Sequence, residues 1–165
     1  MAKLHHVYLG IGTNLGDRRK NLVDAEGLIN LKVGPVIACS KTYETAAWGL
    51  TEQPDFHNQV LSVGTTLSAE EVLREVLEIE THLGRVRKEK WGTRIIDIDI
   101  LYYNDAVINL PHLKIPHPFI QERNFVLIPL LEIAPDYVHP ILKMPNEELF
   151  WNSKDDSEVI QLDSI

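Results

Sequence analysis

Asp97 and Asp99 stand two residues apart in Ile95-Ile96-Asp97-Ile98-Asp99-Ile100-Leu101, a run that otherwise has the composition of a buried β-strand. Strand side chains alternate between faces, so the two carboxylates share one face while Ile96, Ile98 and Ile100 share the other. Two carboxylates left unpaired on a partly buried face would cost several kcal/mol through desolvation and mutual repulsion, on the order of what one buried charge costs. A hard, oxygen-seeking cation resolves the conflict. Mg2+ fits, because it takes one or two protein carboxylates and completes its shell with water and phosphate.

Just upstream, Gly84-Arg85-Val86-Arg87-Lys88-Glu89-Lys90-Trp91-Gly92-Thr93-Arg94 concentrates positive charge in a chain whose formal net charge is −8. An acidic surface repels polyphosphate, so a local basic segment beside a carboxylate pair reads as an anion clamp. Together the two features describe a site for a metal-bound triphosphate. Taken singly, the basic stretch could be a solvated loop and the Asp side chains could simply reach water.

These residues must be positioned by a chain of 165 residues, long enough for one domain with a core that needs no staples. A pI near 5.3 argues against sequence-independent binding to nucleic acid or to an anionic membrane. Cys39 is the one cysteine, so no intramolecular disulfide can form, and a reducing cytoplasm is expected. Neither a signal peptide nor an uninterrupted apolar span is visible, and the seven histidines lack zinc-site spacing.

Patterning predicts strands over 7–11, 36–43 and 58–66, a helix over 17–31, and a second helix opened by the capping box Ser68-Ala69-Glu70-Glu71 and stopped at Gly84. The 17–31 helix should bury Leu22, Ala25, Leu28 and Ile29, and the second helix Val72, Val76, Ile79 and Leu83. The Asp97/Asp99 strand follows, then a short strand over 106–110 and a helix over 123–133. This order is the β-α-β-β-α-β of an α+β, ferredoxin-like fold: an antiparallel sheet with helices on one face and extra C-terminal elements. Asp97 and Asp99 should then face away from those helices. The tail from Asn152 onward, acidic and thin in apolar runs, is expected to be loosely held.

The residues closely resemble the 6-hydroxymethyl-7,8-dihydropterin pyrophosphokinase family. Ile11-Gly12-Thr13-Asn14-Leu15-Gly16, Gln53-Pro54-Asp55-Phe56-His57-Asn58, Gly84-Arg85-Val86-Arg87, the Trp91 to Leu101 run, and Ile115-Pro116-His117-Pro118 with Arg123-Asn124-Phe125 occur in the family's order. The resemblance implies transfer of the β,γ-diphosphate of ATP to the hydroxymethyl group of the pterin in folate biosynthesis, with release of AMP. It implies two Mg2+ ions on Asp97 and Asp99, and Arg85 and Arg94 as guanidinium clamps on the triphosphate. Glu80, Ile100, His117 and Arg123 would be further ATP contacts. Phe56 and Phe125 would wall a pterin slot whose polar edge is Asn58 and Thr45, and Trp48 and Trp91 would sit in loops that close over the substrates. Small-molecule substrates and a cytoplasmic monomer are expected. The sequence departs from the family's pattern at Thr93, Ala46-Ala47 and Pro118, and His112 and Lys114 match nucleotide contacts only loosely. A rival reading of the D-x-D pair is a metal-dependent nucleotidyl or glycosyl transferase, which leaves Phe56, Asn58 and Phe125 without a purpose.

Overall fold

The computed structural model describes residues 3–46, 55–84 and 95–162. Arg85, Arg87, Arg94, Trp48, Trp91, Ala47 and Thr93 lie outside the described residues.

The chain opens with β1 (His5–Thr13), an interior strand of the sheet. It is hydrogen-bonded on one side to β4 (Phe56–Thr65) and on the other to β5 (Asp97–Tyr103), both antiparallel. Gly16, with a φ of 60°, turns the chain into α1 (Arg18–Lys32), whose N-cap Asp17 accepts from the Lys20 amide at 3.1 Å. The expected strand over 36–43 is two short strands, β2 (Val36–Cys39) and β3 (Tyr43–Thr45), both paired with β4. Ser40 makes the break: its hydroxyl accepts from the Val60 amide at 2.9 Å and donates to the Lys41 carbonyl at 2.8 Å, diverting the chain between the strands. The capping box forms as expected at the head of α2 (Ala69–Leu83).

Ile96, Ile98 and Ile100 pack with Leu9, Ile11, Leu61 and Val63 under the apolar stripes of α1 and α2, where Leu22, Ala25, Ile29, Val72, Val76 and Ile79 are buried. Burial of each such side chain stabilises by roughly 1.5–3 kcal/mol, so the face that Ile98 chooses fixes the face left to its Asp neighbours. After β5 come the hairpin strands β6 (Ile108–Leu110) and β7 (Leu113–Ile115), then a 3-10 turn at Ile120–Glu122, α3 (Asn124–Ile133) and α4 (Asn146–Asn152). Although α1 and α2 share one face as expected, the other face is not bare. Val126, Leu127 and Leu130 of α3 and Leu149 of α4 cover its Tyr8, Val60, Leu101 and Tyr102.

Contrary to expectation, the residues past Asn152 return to the sheet. β8 (Val159–Gln161) pairs with β3, giving the strand order β5-β1-β4-β3-β8. Strand pairing needs only backbone groups, which is why an acidic stretch without apolar runs can still be held.

Candidate active site

Opposed residues of an antiparallel pair share a face, so the register places the site directly. Gly12 lies opposite Asp97 on one side and Asn58 on the other, and Gly10 lies opposite Asp99 and Val60. Farther along, Tyr43 opposes Asn58 and Thr45 opposes Phe56. All of these face away from α1 and α2. Between the two carboxylates on β5 and the side chains of β4, the central strand therefore presents two glycines. The result is a trough.

A cavity of about 540 Å3 occupies this trough. Its floor is Gly10, Gly12, Asp97, Asp99 and Leu101, and its β-sheet wall is Thr45, Phe56, Asn58 and Val60. The α3 side supplies Phe119, Glu122, Arg123, Phe125 and Val126, and the tail supplies Asp155 and Ser157. Of the anticipated residues, Thr45, Phe56, Asn58, Asp97, Asp99, Arg123 and Phe125 thus converge on one space.

The polar edge is ordered by its own bond. Asn58 Nδ2 donates to Thr45 Oγ1 at 3.1 Å, with both residues under a tenth exposed. That leaves the Asn58 carbonyl oxygen over Gly12, where a methyl group would sit only 2.5 Å from it. Glycine at this position is what lets Asn58 lie flat along the trough. The Arg123 guanidinium lies 5.0 Å from the Phe119 ring centre and 5.7 Å from that of Phe125, a cation–π arrangement that steers the charge along the cavity wall.

Beside the cavity, β5 contains a bulge: Ile100 opposes Leu9 and Tyr102 opposes Tyr8, leaving Leu101 as the extra residue. The Leu101 carbonyl accepts from the His117 amide at 3.0 Å, which ties His117 to the strand bearing the carboxylates. Burial lowers the His117 imidazole below its ordinary value; the Asp99 carboxylate opposes the shift and the Arg123 guanidinium adds to it. Its Nδ1 accepts from the Phe119 amide at 3.2 Å, so the neutral ring carries its proton on Nε2. That N–H is a donor suited to an anion near Asp99 and Arg123.

His117 stands beside the cavity without lining it, and the remaining anticipated contacts among the described residues lie farther away. Glu80, on α2, does not line the cavity; its Oε2 accepts from the Ile98 amide at 2.7 Å, between the two Asp residues on the edge strand of the sheet. The Ile100 side chain is buried in the helix-side core and also does not reach the cavity. His112 pairs with Glu70 at 3.3 Å and Lys114 bonds Asn109 at 2.8 Å, each on the surface.

Among the lining residues that the sequence did not single out are Gly10, Phe119, Glu122, Asp155 and Ser157. Gly10 had a usable signal, since glycines two apart in a strand empty one face. Asp155 and Ser157 had none, because their place depends on the tail returning to β3.

Metal chemistry fits this arrangement. Two carboxylates project from one face opposite two residues without side chains, which leaves room above the sheet for an ion and its remaining oxygen ligands. Among the described residues, no group of three or more His, Cys, Asp and Glu side chains gathers to hold a metal by protein ligands alone.

The sequence profile of the 7,8-dihydro-6-hydroxymethylpterin-pyrophosphokinase family matches residues 8–135. A 2-amino-4-hydroxy-6-hydroxymethyldihydropteridine pyrophosphokinase from Aquifex aeolicus is 43% identical over 144 residues, covering 86% of this chain and 88% of its own. One from Methylorubrum extorquens is 45% identical over 132 residues, covering 79% and 84%. Among solved structures, the wild-type HPPK-DHPS of Plasmodium falciparum with pterin and p-hydroxybenzoate aligns with a TM-score of 0.72 at 21% identity over 91% of this chain; this chain spans 43% of that one, and the likeness speaks to fold alone. Neither the trough nor these relatives favours a general D-x-D nucleotidyl or glycosyl transferase. With the ferredoxin-like sheet, the paired carboxylates and the profile in register, the chain belongs to the 7,8-dihydro-6-hydroxymethylpterin-pyrophosphokinase family.

Proposed function

We infer that this protein transfers the β,γ-diphosphate of ATP to the hydroxymethyl group of 6-hydroxymethyl-7,8-dihydropterin, a step of folate biosynthesis. The observation that carries the reading is one trough that holds Asp97 and Asp99 together with Phe56, Asn58, Thr45 and Phe125. A flat, polar bicycle needs stacking faces and in-plane hydrogen-bond partners, which the aromatic rings and the Asn58 and Thr45 side chains supply. The triphosphate needs positive charge and donors, which Arg123 and His117 offer from the described residues and Arg85 and Arg94 would add from outside them.

In the reaction the pterin alcohol oxygen bonds to the β-phosphorus as the bond from that phosphorus to the α,β-bridging oxygen breaks. AMP leaves with the bridging oxygen, and the alcohol proton is lost. Asp97 and Asp99 would hold Mg2+, which when bound neutralises phosphate charge. The residues themselves bind and orient. The trough sets the alcohol beside the phosphates, so most of the acceleration would come from positioning and from charge already in place. Glu80 supports this by fixing the Ile98 amide between the two carboxylates.

The reading also has the protein act on small molecules as a single-domain cytoplasmic monomer. No helix among the described residues is long and apolar enough to cross a membrane. The test is AMP formation from ATP and Mg2+ with and without the reduced pterin alcohol. Pterin-dependent AMP in equal amount to pterin diphosphate is expected; ADP as product, or AMP without need of pterin, refutes it.

A further inference from the structure

α3 begins without a cap of its own. Arg123, in the N-cap position, makes no side-chain capping bond. The first helical amide, that of Asn124, instead donates to Asp155 Oδ2 at 2.8 Å, and the Asn124 side-chain amide donates to the Asp155 carbonyl at 2.9 Å. The other carboxylate oxygen, Oδ1, accepts from the Ser157 amide at 2.9 Å. One carboxylate from the tail therefore bridges two backbone amides, one of them adjacent to Phe125.

The tail approaches as an extended strap. Ser153, Asp155, Ser157 and Val159 turn inward while Lys154, Asp156, Glu158 and Ile160 are exposed. At its far end Val159 opposes Thr45 across the β3–β8 pair. The strap thus joins the polar edge of the cavity, at Thr45, to the aromatic wall, at Phe125.

We propose that Asp155 is a positioning residue for the pterin, setting the Phe125 ring against the Thr45 and Asn58 edge by capping α3 from the tail. The proposal rests on the pterin reading of this cavity. A stacking slot tolerates errors of well under about 1 Å before productive geometry is lost, so the walls must be tied to each other rather than each merely folded. Asp155, itself part of the cavity lining, makes that tie through a side chain that belongs to the tail and to neither wall. Burial alone would raise its carboxyl, but the bonds from Ser157 and Asn124 prevail and hold it below the ordinary value, so the bridge stays ionised at neutral pH.

The test is steady-state kinetics of the full chain with Asp155→Ala, Asp155→Asn and, as a strap control, Asp156→Ala. Asp155→Ala is expected to raise the pterin KM about tenfold while the ATP KM stays within about twofold. Asp155→Asn should fall between wild type and alanine, because its one carbonyl oxygen can serve only one of the two amides. Asp156→Ala should match wild type. Unchanged pterin KM in Asp155→Ala overturns the proposal, as does an equal rise in both KM values, which would mark general loosening. If Asp155→Ala does not fold, the asparagine variant decides on the same readout. Wild-type protein that makes no pterin-dependent AMP overturns the pterin reading itself and this proposal with it, whereas active wild type beside an unaltered Asp155→Ala overturns the proposal alone.

Discussion

Substituting Gly12 by alanine should damage the pterin site far more than substituting Gly10, although both sit on the same face of the same strand. A Cβ at Gly12 would lie 2.5 Å from Asn58 Oδ1, about 1 Å inside the usual contact of about 3.5 Å. The backbone there is ordinary strand, so the conflict is purely one of space. Asn58 is the part that can move, but it is buried and its Nδ2 donates to Thr45 Oγ1 at 3.1 Å. Swinging it away leaves a buried donor or acceptor unmatched, a cost of about 1–3 kcal/mol. Because the same amide forms the polar edge of the slot, the pterin KM should rise by roughly five- to 150-fold, each 1.4 kcal/mol being worth about a factor of ten. At Gly10 the nearest atoms to an added methyl are the Leu101 methyl groups at 3.6 Å, an ordinary contact, and pterin KM should stay within about twofold. Steady-state kinetics for both substrates, with thermal unfolding alongside, measures the contrast. Gly12→Ala with a wild-type pterin KM, or two variants that behave alike, would mean that the Gly12–Asn58 contact does not shape the slot.

Ser68→Ala should lower stability by about 1 kcal/mol in urea denaturation with turnover unchanged, since it removes the acceptor of the Glu71 amide (3.2 Å) at the head of α2, outside the cavity lining. Burial holds His117 and His139 below their ordinary value of 6.5. The unfolded chain therefore takes up protons near that pH that the folded chain refuses, and stability should fall as pH drops through 6.5 toward the lower folded values. Urea midpoints at about pH 7.5 and about pH 5.5 should show the decline; a flat or reversed profile would contradict it.

The half of the fold that carries strong local patterns was legible before any coordinates. Ile96, Ile98 and Ile100 could pack under α1 and α2 only by turning Asp97 and Asp99 the other way, and they do. The Ser68 capping box marked the start of α2 to the residue. What stayed hidden depends on partners distant in sequence. Nothing local distinguishes Ser40 as a break in an apolar run; the break comes from its bond to the Val60 amide. The Leu101 bulge, which brings in His117, exists only in the pairing with β1. The two-residue spacing of Gly10 and Gly12 takes its meaning, an emptied floor, from Asp97, Asp99 and Asn58 set opposite. β8 and the Asp155 bridge rest on backbone pairing and a long-range cap, neither of which leaves an apolar pattern.

If Asp97 and Asp99 on one face of β5 serve phosphate chemistry through a divalent ion, turnover of Asp97→Asn and Asp99→Asn with saturating ATP, Mg2+ and pterin must reveal it. Each variant should keep the fold and its affinity for pterin while kcat falls by about a thousandfold or more, the scale of several kcal/mol of lost charge stabilisation. Turnover within about tenfold of wild type in both variants would contradict it.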